Sequence, residues 1–255
     1  MGFHYRESAK EMPDPQIIDH AFILAAGMGK RLRPYTDQCP KPLVKVAGRA
    51  IIDHVLESLE DAGVRHVTVN THYMADMLEA YLSHRTAPQV VFSREGTLLD
   101  TGGGIKKALP LLGARPFFAV SGDSFWSDPA GAGTLADMAR LWEPAKMDVL
   151  IGLAPLSRMA LTPGLGDYTM DAAGGCIRSL DKTGTHMWTS IRLCAPSIFK
   201  DTPDTPFSFL DLMDRAEKRG RLYGHVLSGE WYHITTPEDL ERVDAALSAQ
   251  KKAAG

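Results

Sequence analysis

The sequence predicts an α/β protein: a doubly wound, mostly parallel sheet with a small antiparallel part after it. Through residue 153, short apolar runs that end in turn residues alternate with stretches of helical spacing, and the turns between them are short. From residue 154 that rhythm gives way to brief alternating segments separated by glycines. Strands alternating with helices place helices on both faces of a parallel sheet through right-handed crossovers. Brief alternating segments read as an antiparallel ribbon inserted into or beside that sheet.

Residues 1–20 are polar, contain Pro13 and Pro15 and show no periodicity, so a flexible N-terminal extension is expected there. Residues 21–26, AFILAA, are short and apolar and end at a turn signal, the pattern of a strand buried on both faces. Ile51, Ile52, Val55, Leu56 and Leu59 fall at helical spacing, and Ala62-Gly63 stops that helix. Strands are expected at 67–70, 90–93, 117–120 and 149–153, with a helix at 75–82 and another marked by Ile105, Ala108, Leu109 and Leu112 after three glycines. The antiparallel segments are expected near 167–170, 176–180 and 187–193. Helices follow at 209–219 and 237–247, the latter opening with Pro237, a residue suited to a first helical position. The expected organisation is thus an extension at 1–20, a core at 21–153, and elements at 154–249 completing the same domain.

Composition narrows the function. A chain of 255 residues with 44% hydrophobic and 23% charged residues is long enough for one large domain. No apolar run approaches the length of a membrane span and the first twenty residues lack a secretory pattern, so a cytoplasmic protein is expected, with no membrane partner. Cys39, Cys176 and Cys194 are widely spaced without a C-x-x-C, which argues against a disulfide framework and a zinc site. Net charge is −3 and no basic tract lies outside one loop, so nucleic acid is not an expected partner.

That loop follows the first strand. Gly27 and Gly29 supply backbone without Cβ atoms, and between Gly27 and Pro42 lie Lys30, Arg31, Arg33 and Lys41 against the single acid Asp37. Such a turn lets a polyphosphate approach main-chain N–H groups, and its charge favours an anionic ligand. Solvated cations on an ordinary turn are the alternative. GMGKRL lacks the third glycine of G-x-G-x-x-G, and no G-x-x-x-x-G-K-[ST] is present. Pro40 and Pro42 restrict the backbone on both sides of Lys41, which suits a charge held at a fixed point.

Residues 24–43, LAAGMGKRLRPYTDQCPKPL, resemble the signature of the sugar-1-phosphate nucleotidylyltransferases, L-A-A-G-x-G-x-R-L-x-P-x-T-x-x-x-P-K-P-L, and meet every fixed position. The resemblance implies a Rossmann-like nucleotidyltransferase fold whose antiparallel part binds sugar. It implies a reaction of an NTP with a sugar 1-phosphate to give an NDP-sugar and pyrophosphate, with Mg²⁺. It places the nucleotide on Leu24, Ala25, Ala26, Gly27, Met28, Gly29 and Lys30, with Arg31, Lys41 and Asp123 as catalytic residues. LLDTGGGIKKAL at 98–109 is similar to the form in the branch that uses N-acetylmuramate 1-phosphate; there Asp100, Gly102 and Gly103 would meet the base, the glycines as a flat wall. Without that resemblance the glycines read equally as a loose helix start. Glu95 is a candidate partner for the base edge or a solvated loop carboxylate.

Asp123 follows an apolar strand and a glycine, where a carboxylate suits Mg²⁺ or a helix cap. GEWYHITTPEDL at 229–240 resembles the family segment W-x-D-x-G-T-P-E, with His233 in the place of the second metal carboxylate and Thr235 in that of the glycine. Imidazole binds Mg²⁺ reluctantly, so His233 as a metal ligand departs from the pattern; contact with a phosphate or a metal-bound water, selection of Mn²⁺, and packing with no role are the alternatives. Asp167, in GDY, and Thr189, in HMWTSIRL, resemble sugar contacts. UTP and N-acetylmuramate 1-phosphate are the implied substrates, in a cell-wall recycling route. The alternatives are a mannose-1-phosphate guanylyltransferase and a non-catalytic nucleotide-sugar sensor.

Overall fold

The computed structural model describes residues 18–129, 133–159, 161 and 163–254. Most of the expected N-terminal extension, residues 1–17, lies outside the described residues, and its expected end at residue 20 is corrected. Ile18 packs into the core, Asp19 is buried and paired with Arg115, and the first strand starts at His20. The Asp19 backbone carbonyl also accepts from the N–H groups of Arg65 and His66, which fastens the start of β1 to β4.

In chain order the elements are β1 (His20–Leu24), β2 (Lys45–Val46), β3 (Arg49–Ala50), α1 (Ile51–Asp61), β4 (His66–Thr71), α2 (Ala75–Leu82), β5 (Gln89–Arg94), α3 (Asp100–Leu112), β6 (Phe117–Ser121) and β7 (Ser124–Ser127). There follow α4 (Thr134–Leu141), β8 (Val149–Pro155), β9 (Tyr168–Met170), β10 (Cys176–Arg178), β11 (His186–Cys194), α5 (Phe209–Lys218), β12 (Leu222–Val226), β13 (Glu230–His233) and α6 (Pro237–Ala254).

Nine strands form one sheet. β5, β4, β1 and β6 run parallel in that order, and β11 joins β6 antiparallel. β11 also pairs with β8 and β9, so the antiparallel segments extend the parallel sheet. Alternation along the buried strands divides the core in two: Ala21, Ile23, Phe118 and Val120 face α1, α2, α4 and α6, whereas Phe22 and Ala119 face α3 and α5. β1 lies between β4 and β6, so the chain reverses its winding beside β1 and leaves a crevice at the carboxyl ends of these strands.

Two expectations change here. The three glycines do not precede the second-face helix as a loop; they lie within α3, which begins at Asp100. A Cβ on Gly102 would stand 2.3 Å from the Phe207 ring, and the N–H groups of Gly102 and Gly103 donate to the Phe207 carbonyl. Close packing against the segment before α5 requires glycine there. The second change is the pair β7 and β13, whose four-residue segments are too short to show a period. They pair antiparallel with His233 opposite Ser124, which brings the late segment to the end of β6.

Candidate active site

The loop after β1 is shaped by one left-handed residue. Gly29 sits at φ 60°, and a Cβ there would lie 2.8 Å from Thr36 Cγ2 and 3.1 Å from Lys41 Cβ. The Thr36 hydroxyl donates to the Gly29 carbonyl, and the Tyr73 hydroxyl donates to the Thr36 carbonyl, so the loop folds back on itself. Gly27 differs: nothing lies within 4 Å of where its Cβ would stand, and it borders a cavity of ≈ 440 Å³. Leu24, Ala25, Ala26, Gly29, Lys30, Arg31, Lys41, Asp100 and Asp123 also line this cavity, whereas Met28, Gly102 and Gly103 do not.

At the wall of this cavity, Lys41 Nζ donates to Asp123 Oδ2 at 2.8 Å. Lys41 is 7% exposed, so its charge is held within the wall and not in bulk water. Gly122 makes the turn that presents Asp123, donating its N–H to the Leu24 carbonyl; a Cβ there would press on Ile23 and on that oxygen. Burial by itself raises the Asp123 pKa, but the charges of Lys41, His233 and Arg31 and the Lys41 hydrogen bond outweigh it and hold the carboxyl below its ordinary value. His233 Nε2 lies 3.9 Å from the same Asp123 oxygen and 3.2 Å from the Thr235 hydroxyl, and its ring stacks on Trp231. Burial drives the His233 pKa down, and the nearby Lys41 and Arg31 oppose its protonation further, against the pull of Asp123.

The same cavity is bordered by a buried polar pair, Asn70 and Glu95, that is not among the sequence expectations as a unit. Asn70, at the end of β4, accepts from the Ala25 N–H at 2.6 Å and donates to Glu95 Oε1 at 2.7 Å. The other Glu95 oxygen accepts from the Leu99 N–H. Glu95 is 3% exposed, so it is not a solvated loop carboxylate. Because Asn70 occupies the Ala25 N–H, that group is not free for a phosphate. Gly104 makes room for the pair: a Cβ there would lie 2.7 Å from Glu95 Oε1. An asparagine ending the run HVTVN was the sequence signal for this wall.

A second cavity, ≈ 400 Å³, shares Arg31 and Thr235 with the first and is also lined by Asp167, Lys182, Met187 and His233. Asp167 pairs with Lys182 at 2.5 Å and accepts from the Trp188 N–H. Thr189 does not reach either cavity. It is fully buried, and its hydroxyl donates to the Gly152 carbonyl of β8 at 2.8 Å, so the expectation that it touches the sugar is corrected: alternation along β11 turns it inward.

Among the described residues no group of three or more His, Cys, Asp and Glu side chains forms a ready metal cage. Asp123 offers one carboxylate at the cavity, with Oδ2 taken by Lys41. That donor set fits Mg²⁺, which keeps several waters and is commonly held by one or two carboxylates plus substrate phosphates.

A family model described as Nucleotidyl transferase matches residues 20–159. The chain is 41% identical over 235 residues to the N-acetylmuramate alpha-1-phosphate uridylyltransferase of Caulobacter vibrioides, a match covering 89% of this chain and 96% of that protein. It is 28% identical over 241 residues to the mannose-1-phosphate guanylyltransferase catalytic subunit beta of Drosophila pseudoobscura pseudoobscura, over 86% of this chain and 60% of that one. The crystal structure of UDP-glucose pyrophosphorylase complexed with UDP-glucose shares the fold, with a TM-score of 0.76 at 17% identity over 92% of this chain and 100% of that one. No helix among the described residues is long and apolar enough to cross a membrane.

Proposed function

The chain belongs to the nucleotidyl transferase family and is a sugar-1-phosphate uridylyltransferase, and we propose that its substrates are UTP and N-acetylmuramate 1-phosphate. The observation that supports this reading is the Lys41–Asp123 pair, which lines one cavity of ≈ 440 Å³ together with the open backbone of Gly27. An oxygen of the sugar phosphate attacks the α-phosphorus of UTP; the new P–O bond forms as the bond to the β-phosphate breaks, and pyrophosphate leaves. A sugar phosphate is already anionic at neutral pH, so the protein need supply no general base. Its task is to hold the two phosphates in line and to balance the charge that grows on the leaving group.

In this reading Lys41 lies between the α-phosphate and the incoming sugar phosphate. Lys30 and Arg31 meet the β- and γ-phosphates, and Gly27 leaves room for them. Asp123 would hold Mg²⁺, which when bound neutralises phosphate charge and fixes the polyphosphate's conformation. With burial, Lys41 and Arg31 all lowering its pKa, His233 is suited to hydrogen-bond a phosphate oxygen or a water more than to replace a carboxylate ligand. Glu95, buried on the cavity wall, is an acceptor for the ring N–H of uracil; cytosine and adenine offer no ring N–H on that edge. Asp167, beside the second cavity, would meet the sugar. A cytoplasmic role in recycling cell-wall sugars fits these substrates.

Pyrophosphate release from the four NTPs crossed with N-acetylmuramate, N-acetylglucosamine, glucose and mannose 1-phosphates tests the proposal. The expected best pair is UTP with N-acetylmuramate 1-phosphate. A preference for GTP with mannose 1-phosphate would replace it, and silence across the panel with retained nucleotide-sugar binding would point to a sensor.

A further inference from the structure

Arg192 is 1% exposed, yet its Nε and Nη1 have no hydrogen-bond partner and it forms no ion pair among the described residues. Its Nη2 reaches only the Ser190 carbonyl, at 3.4 Å. The guanidinium is stacked between two rings, with its carbon 4.7 Å from the Trp188 centroid and 4.5 Å from that of Phe209. Burial lowers its pKa to about 10, which still leaves it charged at neutral pH. A buried charge without an acid to meet it is costly, and aromatic stacking offsets only part of that cost. The hydroxyl of Tyr168 and the indole N–H of Trp188 are also buried without partners. Tyr168 and Phe209 belong to the core on the α5 face, and the partly buried Trp188 packs against it.

The direction of the side chain gives this cluster a purpose. β11 runs antiparallel to β6, with Arg192 opposite Ala119. Since the guanidinium folds back from residue 192 over residue 188, it extends toward the carboxyl end of β6, where Ser121 and Asp123 border the cavity. Phe209, on its other side, donates its N–H to the hydroxyl of Thr101, and Thr101 lines that cavity. The unpaired cation therefore lies one layer behind the cavity, on the side of the antiparallel strands.

We propose that Arg192 is a specificity residue that receives the carboxylate of an acidic sugar 1-phosphate, with the Tyr168 hydroxyl and the Trp188 indole N–H as further donors. This rests on the uridylyltransferase reading: N-acetylmuramate 1-phosphate carries a lactyl carboxylate that N-acetylglucosamine 1-phosphate lacks, and a planar fork of N–H donors matches a carboxylate bidentately. Ser190, at φ 62° in the irregular stretch of β11 between Trp188 and Arg192, marks where the strand departs from regular pairing.

The test compares kcat/KM for N-acetylmuramate 1-phosphate with that for its lactyl amide, a neutral analogue of nearly the same shape. The intact enzyme is expected to favour the acid by about tenfold or more, the scale of one charge-assisted hydrogen bond. In Arg192→Gln that preference is expected to vanish, and Arg192→Lys is expected to restore part of it. Equal use of acid and amide by the intact enzyme overturns the assignment without any variant, so a Gln variant that fails to fold does not shelter it. A Gln variant in which both substrates fall together, preference intact, also overturns it by making Arg192 structural. If the intact enzyme transfers uridylyl to N-acetylglucosamine 1-phosphate as readily as to the acid, this inference fails while the uridylyltransferase reading stands. If UTP supports no transfer to any sugar phosphate, both fail.

Discussion

Lys41 and Asp123 lie 82 residues apart in sequence and meet at 2.8 Å, Nζ to Oδ2, in the lining of the cavity after β1. The contact is an ion pair between a group fixed by two prolines and one presented by a glycine turn. Neither is free to search for a different geometry.

Removing either member should reduce turnover. Lys41→Ala and Asp123→Ala are each expected to lower kcat/KM by ~10²-fold or more, the scale for one preorganised charge contact. Steady-state pyrophosphate release measures it. Near-normal rates in Asp123→Ala would remove that residue from the metal assignment.

Gly27 and Gly29 should fail differently when each is replaced by alanine. At Gly29 the left-handed backbone and the contacts with Thr36 and Lys41 predict a folding defect of roughly 1–2 kcal/mol, seen in thermal unfolding together with lost activity. Gly27→Ala meets no protein atom, so its melting temperature should hold while the KM for the nucleotide rises, because the new methyl stands in the cavity. A destabilised Gly27→Ala with unchanged KM would contradict the open-space reading.

Thr189→Val should cost about 1 kcal/mol of stability through loss of the bond to Gly152, with no change in the KM for the sugar phosphate. Denaturant unfolding and substrate titration together check this. A sugar KM that rises with stability intact would return Thr189 to the sugar site.

Asp19 supplies a pH-dependent part of stability. Burial by itself raises its pKa, but hydrogen bonds from His20 and Arg115 and their charges outweigh that and leave it lowered. A lowered folded-state pKa means the stabilisation is present above the unfolded value, near 4, and is lost as pH falls through the folded one. Asp19→Asn should therefore be less stable than the native protein at pH 7, by about 1 kcal/mol, with the gap closing below about pH 4. Thermal unfolding at several pH values measures it; a gap independent of pH would deny the ion pair its role.

Much of this was readable in the chain. The helices at α1, α2, α5 and α6 follow from apolar spacing and stop signals, and the strands β1, β4, β5, β6 and β8 follow from short apolar runs, because each pattern reports burial within one element. The loop from Gly27 to Leu43 was legible for a related reason: glycines and prolines constrain their own backbone wherever they stand. The segments of β7 and β13 escaped because four residues cannot display a period.

Sequence alone thus determined the strand-and-helix architecture, the glycine turn after β1 and the residues that can carry charge there. Tertiary structure decided which of them meet: that Gly102 and Gly103 pack on Phe207 instead of walling the cavity, that Thr189 turns inward, that β13 sets His233 beside Asp123, and that Arg192 is buried without an acid. The physical reason is that propensity and periodicity are local, whereas the partner of a buried polar group depends on which distant strand the sheet places next to it.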